Sequence, residues 1–411
     1  MADLNPNAKY ISGPINVVRM EGQLNGIKKV IYLFMDLHID VSAQRQCQSV
    51  FSKDVQNYFI DSFHELNKMS RKYDFFLEIF LSDIFEEKED PNSPKQSYKV
   101  IYLHEVRKLF QKMLVYDPEI DKVSTSNILK NVRLHYIDIR DYFFDHFYYR
   151  SSEVLDMLNR FACENYIDTE ELDYILESMG YMKKKLKVVV DAISKPKKYT
   201  GKLKVIKSSE QASKREKIFR YFMNKIMTSY KHNNVKNILK KYMDKALKDF
   251  VELIENIEDE IDFFNNYKLT VYDARDKLTK HENGMHMYGL SPVLEREMIK
   301  NMNNIWLHID NKIVDCFSEL FDVYFLRRFL DKDYITNAIA YTGAFHTLNY
   351  IETLVKDFGF KVTHVAYSKI NNMEDLTAEV TKRTAKELSE LFFPPEMQQC
   401  SDMTHFPENF L

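Results

Sequence analysis

Residues 30–35 form an unbroken apolar run, Val-Ile-Tyr-Leu-Phe-Met, that stops at Asp36-Leu37-His38. A short continuous run rich in branched and aromatic residues predicts a strand covered on both faces. Two later runs have the same form: residues 73–80, with Glu78 embedded, and residues 132–140, ending in Asp138-Ile139-Arg140. Between the first two, Val55, Tyr58, Phe59, Phe63, Leu66 and Met69 recur at helical spacing and predict a helix within 49–72. Strand, helix, strand in that order predicts a βαβ unit with a right-handed crossover. Ahead of it, 15–21 reads as a strand and Asn25-Gly26 as a tight turn.

The pattern then changes. A charged, Pro-containing loop is expected over 85–97 and a helix over 98–114, where Leu103, Val106, Leu109, Phe110 and Met113 recur. From about 142 to 330 the apolar spacing is helical almost throughout, with one or two long helices over 214–266 and another over 294–330. The Lys-rich stretch 183–207, interrupted by Pro196 and Gly201, is expected to be a loop or ribbon. Strand character returns at 334–342, followed by a turn at 343–346, a helix over 348–357 stopped by Gly359, and a strand over 361–367. The tail is expected to be helical over 372–392 and loose beyond Phe393-Pro394-Pro395. The fold expectation is α/β: a small, mostly parallel sheet of about five strands flanked by helices, with a large all-helical insertion. Residues 10–145 plus 331–370 form the split α/β domain, 146–330 the insertion, and 371–411 the C-terminal helix and tail.

Composition removes several function classes. The chain has 411 residues, 45% hydrophobic and 29% charged, with a formal net charge of −3, so no general attraction to nucleic acid is expected. Gly is scarce, at 9 residues, and no phosphate-cradling Gly motif is present. No G-x-S-x-G element supports a serine hydrolase. No apolar run is long enough for a membrane span, and the amino terminus lacks the layout of a signal peptide, so a chain that is not secreted is expected. Cys47, Cys163, Cys316 and Cys400 are far apart, which argues against a disulfide scaffold and suits a reducing compartment.

Polar residues stand at four predicted strand ends: Asp36 with His38, Glu78, Asp138 with Arg140, and His346. Parallel strands would bring these ends to one edge, where open α/β sheets bind ligands. Two histidines with carboxylates suit a divalent cation (Mn, Co or Zn) held by His38, Glu78 and His346. They equally suit an acid–base site in which a histidine takes a proton from water and Arg140 stabilises an oxyanion. Tyr341 and Arg328 are candidates for substrate contact. Each residue also has a plainer reading: Asp36 as a helix cap, His346 as a local hydrogen-bonding residue, Glu78 and Arg140 as a structural ion pair.

These elements carry a resemblance. Strand–Asp36-x-His38, strand–Glu78, strand–Asp138-x-Arg140-Asp141 and Gly343-x-x-His346 before a helix resemble the superfamily of TraB/TIKI proteins, erythromycin esterases and ChaN-like proteins. Pro14-Ile15-Asn16-Val17-Val18-Arg19, the 32–38 run with Cys47, the 135–141 run, and Asp322-Val323-Tyr324 with Arg328 resemble an uncharacterised protein family of large nucleocytoplasmic DNA viruses. The resemblance covers the α/β parts and implies metal-assisted or His-based hydrolysis of an amide or ester, in a virion or in infected-cell cytoplasm. Met35 stands where the superfamily usually has Gly, so its side chain is expected to crowd the site.

Between residues 183 and 248 there are 21 Lys and Arg against four Asp and Glu. This segment is either a surface for nucleic acid or an acidic partner, or a solvated helix face paired with the chain's own acidic stretch 249–262. The alternative to a hydrolase is therefore a non-catalytic virion or assembly protein that uses the helical insertion as its contact surface.

Overall fold

Asn25 and Gly26 both have positive φ, 52° and 79°, the backbone of a two-residue hairpin turn. The turn joins β2 (Asn16–Leu24) to β3 (Ile27–Asp36), after a short β1 (Tyr10–Ser12). The computed structural model describes residues 9–39, 47, 49, 51–80, 102–113, 126–164, 169–196, 212–278 and 292–410. The loop expected over 85–97 lies outside them, as do residues 197–207 of the Lys-rich stretch.

In chain order there follow β4 (Lys53–Asp54), α1 (Val55–Leu66), β5 (Tyr73–Phe80), α2 (Tyr102–Met113) and β6 (Val132–Asp138). Then come five helices: α3 (Asp141–Glu164), α4 (Thr169–Ser194), α5 (Ala212–Thr228), α6 (Asn233–Leu278) and α7 (Pro292–Asp331). The chain closes with β7 (Asn337–Gly343), α8 (Ala344–Lys356), β8 (Lys361–Val365), α9 (Met373–Val380), α10 (Ala385–Phe392) and β9 (Cys400–Asp402). The protein is mixed α/β and largely helical, with a six-stranded sheet in the order β6-β5-β7-β3-β2-β8 and a three-stranded sheet β4-β1-β9. In the large sheet β6, β5, β7 and β3 are mutually parallel, and β2 runs against both of its neighbours.

Both faces of this sheet are covered, which is why its strands read as continuous apolar runs. Val17, Tyr32, Phe34, Phe75, Leu77 and Tyr341 point to one side, against α1, α2 and the C-terminal Phe410. Val18, Met20, Ile31, Leu33, Met35 and Phe76 point to the other, into a core continuous with the buried faces of α3–α8. Met35 is thus a core residue rather than an obstruction, and the crowding expected of it is not seen.

Four expectations need correction. Residues 183–194 are helix, not loop: Met182, Leu186, Val189 and Ile193 keep an apolar stripe through the lysines, and α4 continues to Ser194. The 334–342 strand begins only at Asn337, because the preceding chain folds around the buried ammonium of Lys29. Its Nζ donates to the carbonyls of Phe329, Lys332 and Ile335 at 3.0, 2.8 and 2.6 Å. The 372–392 helix is two helices, restarted at Thr384, whose side chain and Glu387 form a capping box. Finally, residues 399–410 are packed rather than loose. β9 pairs with β1, Met403, Phe406 and Phe410 are buried, and Cys400 is disulfide-bonded to Cys47 with Cα atoms 5.2 Å apart. The spacing of the cysteines hid this pair because chain topology, not sequence proximity, brings them together.

Candidate functional site

Asp36 and Asp138 end β3 and β6 and build the same local ring. The Asp36 carboxylate accepts the backbone N–H of His38 at 3.0 Å and lies 2.5 Å from its Nδ1. The Asp138 carboxylate accepts the backbone N–H of Arg140 at 3.1 Å, its Nε at 2.9 Å and its Nη2 at 2.6 Å. An Asp that bonds the backbone two residues on turns the chain sharply, and His38 takes a left-handed φ of 55° to do so. In an Asp-x-His or Asp-x-Arg element at a strand end, the carboxylate therefore folds its own partner back over the sheet edge.

Glu78 joins the strand ends. The β5–β6 register shifts between Leu77 and Phe80, and such an irregularity re-aims side chains near sites. Its Oε1 accepts Arg140 Nη2 at 2.9 Å, and its Oε2 accepts the backbone N–H of Gly343 at 2.7 Å. The Nε2 atoms of His38 and His346 stand 3.8 and 3.9 Å from the same Oε1. His346 lies in the first turn of α8, and its Nδ1 is 2.7 Å from Asp322 of α7, whose other oxygen accepts Asn349 Nδ2 at 2.7 Å.

The hydrogen bonds define the working atoms. Asp36 also accepts the Tyr341 hydroxyl at 3.0 Å, so both Asp36 and Asp322 act purely as acceptors and the Nδ1 atoms donate to them. The Nε2 of each imidazole is left facing Glu78. Burial opposes charge on His38, but hydrogen bonds to Asp36 and Glu78 outweigh it and push its pKa up to about 10. His346 is raised too, burial being overcome by Asp322 and Glu78. Burial works to raise Glu78, yet His38, His346 and Arg140 hold it well below the usual carboxylate range.

Asp36, His38, Glu78, Arg140 and His346 line one cleft of about 810 Å³ at the carboxyl edge of the parallel strands. Its far wall is formed by α6 and α7, with Lys245, Asp249, Lys312 and Glu319 among the lining residues. Asp138 stands behind Arg140, and the fully buried Tyr341 stands behind Asp36, where it holds the carboxylate rather than facing the cleft. Arg328 is not part of the group: its Nη2 lies 2.9 Å from His135 Nδ1, in a separate buried cluster with Asp74 and Arg133. The sequence reading missed Asp322 and Asn349 as supports of His346. The available signal was a carboxylate inside the apolar helical stretch Leu320-Phe321-Asp322-Val323.

Among the described residues, no group of three His, Cys, Asp or Glu side chains is arranged to hold a metal ion. Glu78, the carboxylate such a site would need, is already engaged by Arg140 and Gly343. Within the basic segment, Lys183 and Lys187 pair with Glu258, Arg220 with Asp191 and Glu216, and Lys245 with Asp249 and Glu319. These four of its 21 basic residues are thus met by the chain's own carboxylates. Among the described residues no helix is long and apolar enough to cross a membrane.

Residues 9–411 match the profile of a family described as a family of unknown function, DUF5847. The chain is similar to three uncharacterized proteins of Acanthamoeba polyphaga mimivirus. It is 41% identical to R706 over 412 residues, covering 99% of this chain and 98% of that one. It is 33% identical to R161 over 441 residues, covering all of both chains, and 34% identical to R160 over 446 residues, covering 99% of each. No solved structure matches it.

Proposed function

For this chain, which belongs to the DUF5847 family of unknown function with relatives in a giant virus, we propose a hydrolytic centre acting on an amide or ester. The observation that carries the proposal is the convergence of two Asp–His pairs, Asp36–His38 and Asp322–His346, whose Nε2 atoms face one oxygen of Glu78 at 3.8 and 3.9 Å. A carboxylate on Nδ1 fixes the tautomer and leaves Nε2 to exchange protons, the arrangement general acid–base chemistry requires. His38, its pKa raised to about 10, holds its Nε2 proton at neutral pH and delivers it to the leaving group, while His346 in its neutral form takes a proton from the attacking water. Arg140 holds Glu78 in place and supplies positive charge for the developing oxyanion. This assignment follows the resemblance to the TraB/TIKI, erythromycin esterase and ChaN-like superfamily.

A second reading has one observation in its favour. Carboxylates on the Nδ1 atoms of two histidines are also how metal-ligating imidazoles are oriented. A divalent cation (Mn, Co or Zn) between His38, Glu78 and His346 would require Arg140 to release Oε1. The deciding experiment measures metal content of the purified protein and hydrolysis of a fluorogenic ester and amide panel, wild type against His38→Ala plus His346→Ala. Hydrolysis in metal-free protein that the double variant loses supports the histidine mechanism. Stoichiometric metal, lost in the variant, supports the metal reading. Neither result would leave the non-catalytic virion or assembly role, with α3–α7 as the contact surface.

A further inference from the structure

Residues 399–403 lie back along residues 9–14. Gly13 donates its N–H to the Gln399 carbonyl at 3.0 Å, Met403 donates to the Lys9 carbonyl at 2.7 Å, and the Ser401 hydroxyl donates to the Pro14 carbonyl at 2.8 Å. Ser12 of β1 pairs with Cys400 on one side and Asp54 of β4 on the other. Beyond β9, Met403, Phe406 and Phe410 are buried against the α1 face of the large sheet. Residues 399–410 thus form a strap over that face.

Apart from these three buried side chains, the strap's own attachment is slight. The small sheet is built of strands of three, two and three residues, too short for independent stability. Gln399 is fully buried, and neither polar atom of its side chain finds a hydrogen-bond partner among the described residues, a local cost rather than a hold. The covalent tie is the bond from Cys400 to Cys47, which lies between His38 and β4. Both cysteines are partly exposed.

We infer that the Cys47–Cys400 disulfide is a reducible clasp: its closure fixes the C-terminal strap across the α1 face, and its reduction lets the strap open more often while the six-stranded sheet stays folded. The inference is independent of any activity in the cleft. In the opening step a dithiol's thiolate attacks one protein sulfur and displaces the other, which takes up a proton. The reductant's second thiol then displaces the first sulfur, leaving two protein thiols and a cyclic disulfide. Closure is the reverse, with two electrons and two protons passing to a disulfide-bearing oxidant. The fold therefore calls for an oxidising step on this chain, contrary to the reducing compartment its cysteine spacing suggests.

The test uses the full chain purified in air without reductant. Iodoacetamide labelling is mapped by mass spectrometry, and chymotrypsin cleavage after Met403 and Phe410 is timed, with and without dithiothreitol. Cys163, an exposed free thiol, and Cys316, a buried one, serve as internal references. Without reductant only Cys163 is expected to label. With dithiothreitol, Cys47 and Cys400 label, and cleavage in the strap accelerates by about tenfold or more, as the open population rises. The Cys47→Ser plus Cys400→Ser variant should match the reduced protein. Labelling of Cys47 and Cys400 before reduction, or cleavage unchanged by reduction, would overturn the inference. If the double variant fails to accumulate, reduction of the wild type, with Cys163→Ser as control, still decides.

Discussion

Glu78 accepts the backbone N–H of Gly343 at 2.7 Å, joining the bulged part of β5 to the junction of β7 and α8. Through this bond and Arg140, one buried carboxylate connects three parallel strands at the edge where the cleft opens. Removing its charge leaves Arg140 with one carboxylate in place of two. Glu78→Gln is expected to destabilise the fold by ~3 kcal/mol, the scale of a broken buried ion pair, and to lower the pKa of His38. Urea unfolding and an imidazole NMR titration would measure both.

Gly343 tests the cleft without testing the fold. Its φ of −52° and ψ of 144° suit alanine, so Gly343→Ala should change stability by no more than ~1 kcal/mol. The added Cβ would stand 3.2 Å from His38 Nε2 and 3.5 Å from Glu78 Oε2. His38 is expected to turn away from Glu78, which a changed imidazole shift would report, and any hydrolysis should fall with it. An unaltered His38 environment in a folded variant would contradict the packing described.

His135 predicts a pH dependence. The Arg328 guanidinium can only donate, so His135 Nδ1 accepts from it, and its Nε2–H donates to Asp74 at 2.6 Å. Burial pushes the His135 pKa down to about 4; Asp74 opposes the shift in part, and Arg328 adds to it. In the unfolded chain the same group titrates near ~6.5. Between those values the unfolded chain binds a proton that the folded one does not, so stability falls as pH drops through this window. At pH 5 the loss from this residue is about 2 kcal/mol. His135→Gln keeps both hydrogen bonds but removes the titration, and its stability should depend less on pH between 7 and 5 than that of the wild type.

Phe410 packs among the rings of Tyr32, Phe34, Tyr58, Phe59 and Phe63, with centroids 5.0 to 6.5 Å away. Phe410→Ala is expected to cost ~3 kcal/mol or more in denaturant unfolding, as for other buried aromatics. A tail that contributed nothing to the core would show no change.

Much of the site was legible because a buried strand announces its own end. The apolar run from Val30 has to stop where the sheet stops, and Asp36 and His38 mark that point. The same logic exposes Glu78, Asp138 and Arg140. It fails for Asp322, because a polar residue on a helix has no comparable boundary, and which face it serves depends on how α7 lies across α8. It fails for β9 as well, since three residues are too few to show a period. For α4 the lysines concealed a regular apolar stripe, and composition misled where spacing would have sufficed.

The strand order has a consequence for synthesis on the ribosome. β7 lies between β5 and β3 in the sheet, yet it is translated after α3–α7. The hairpin β2–β3 and the pair β5–β6 emerge early, each with an open edge that only β7 can fill. At typical elongation rates roughly 200 residues pass before it arrives, an interval of ~10–40 s. Throughout that time two unpaired apolar edges await the same strand, so the nascent chain, more than the finished protein, is the form most exposed to mispairing and to chaperone capture.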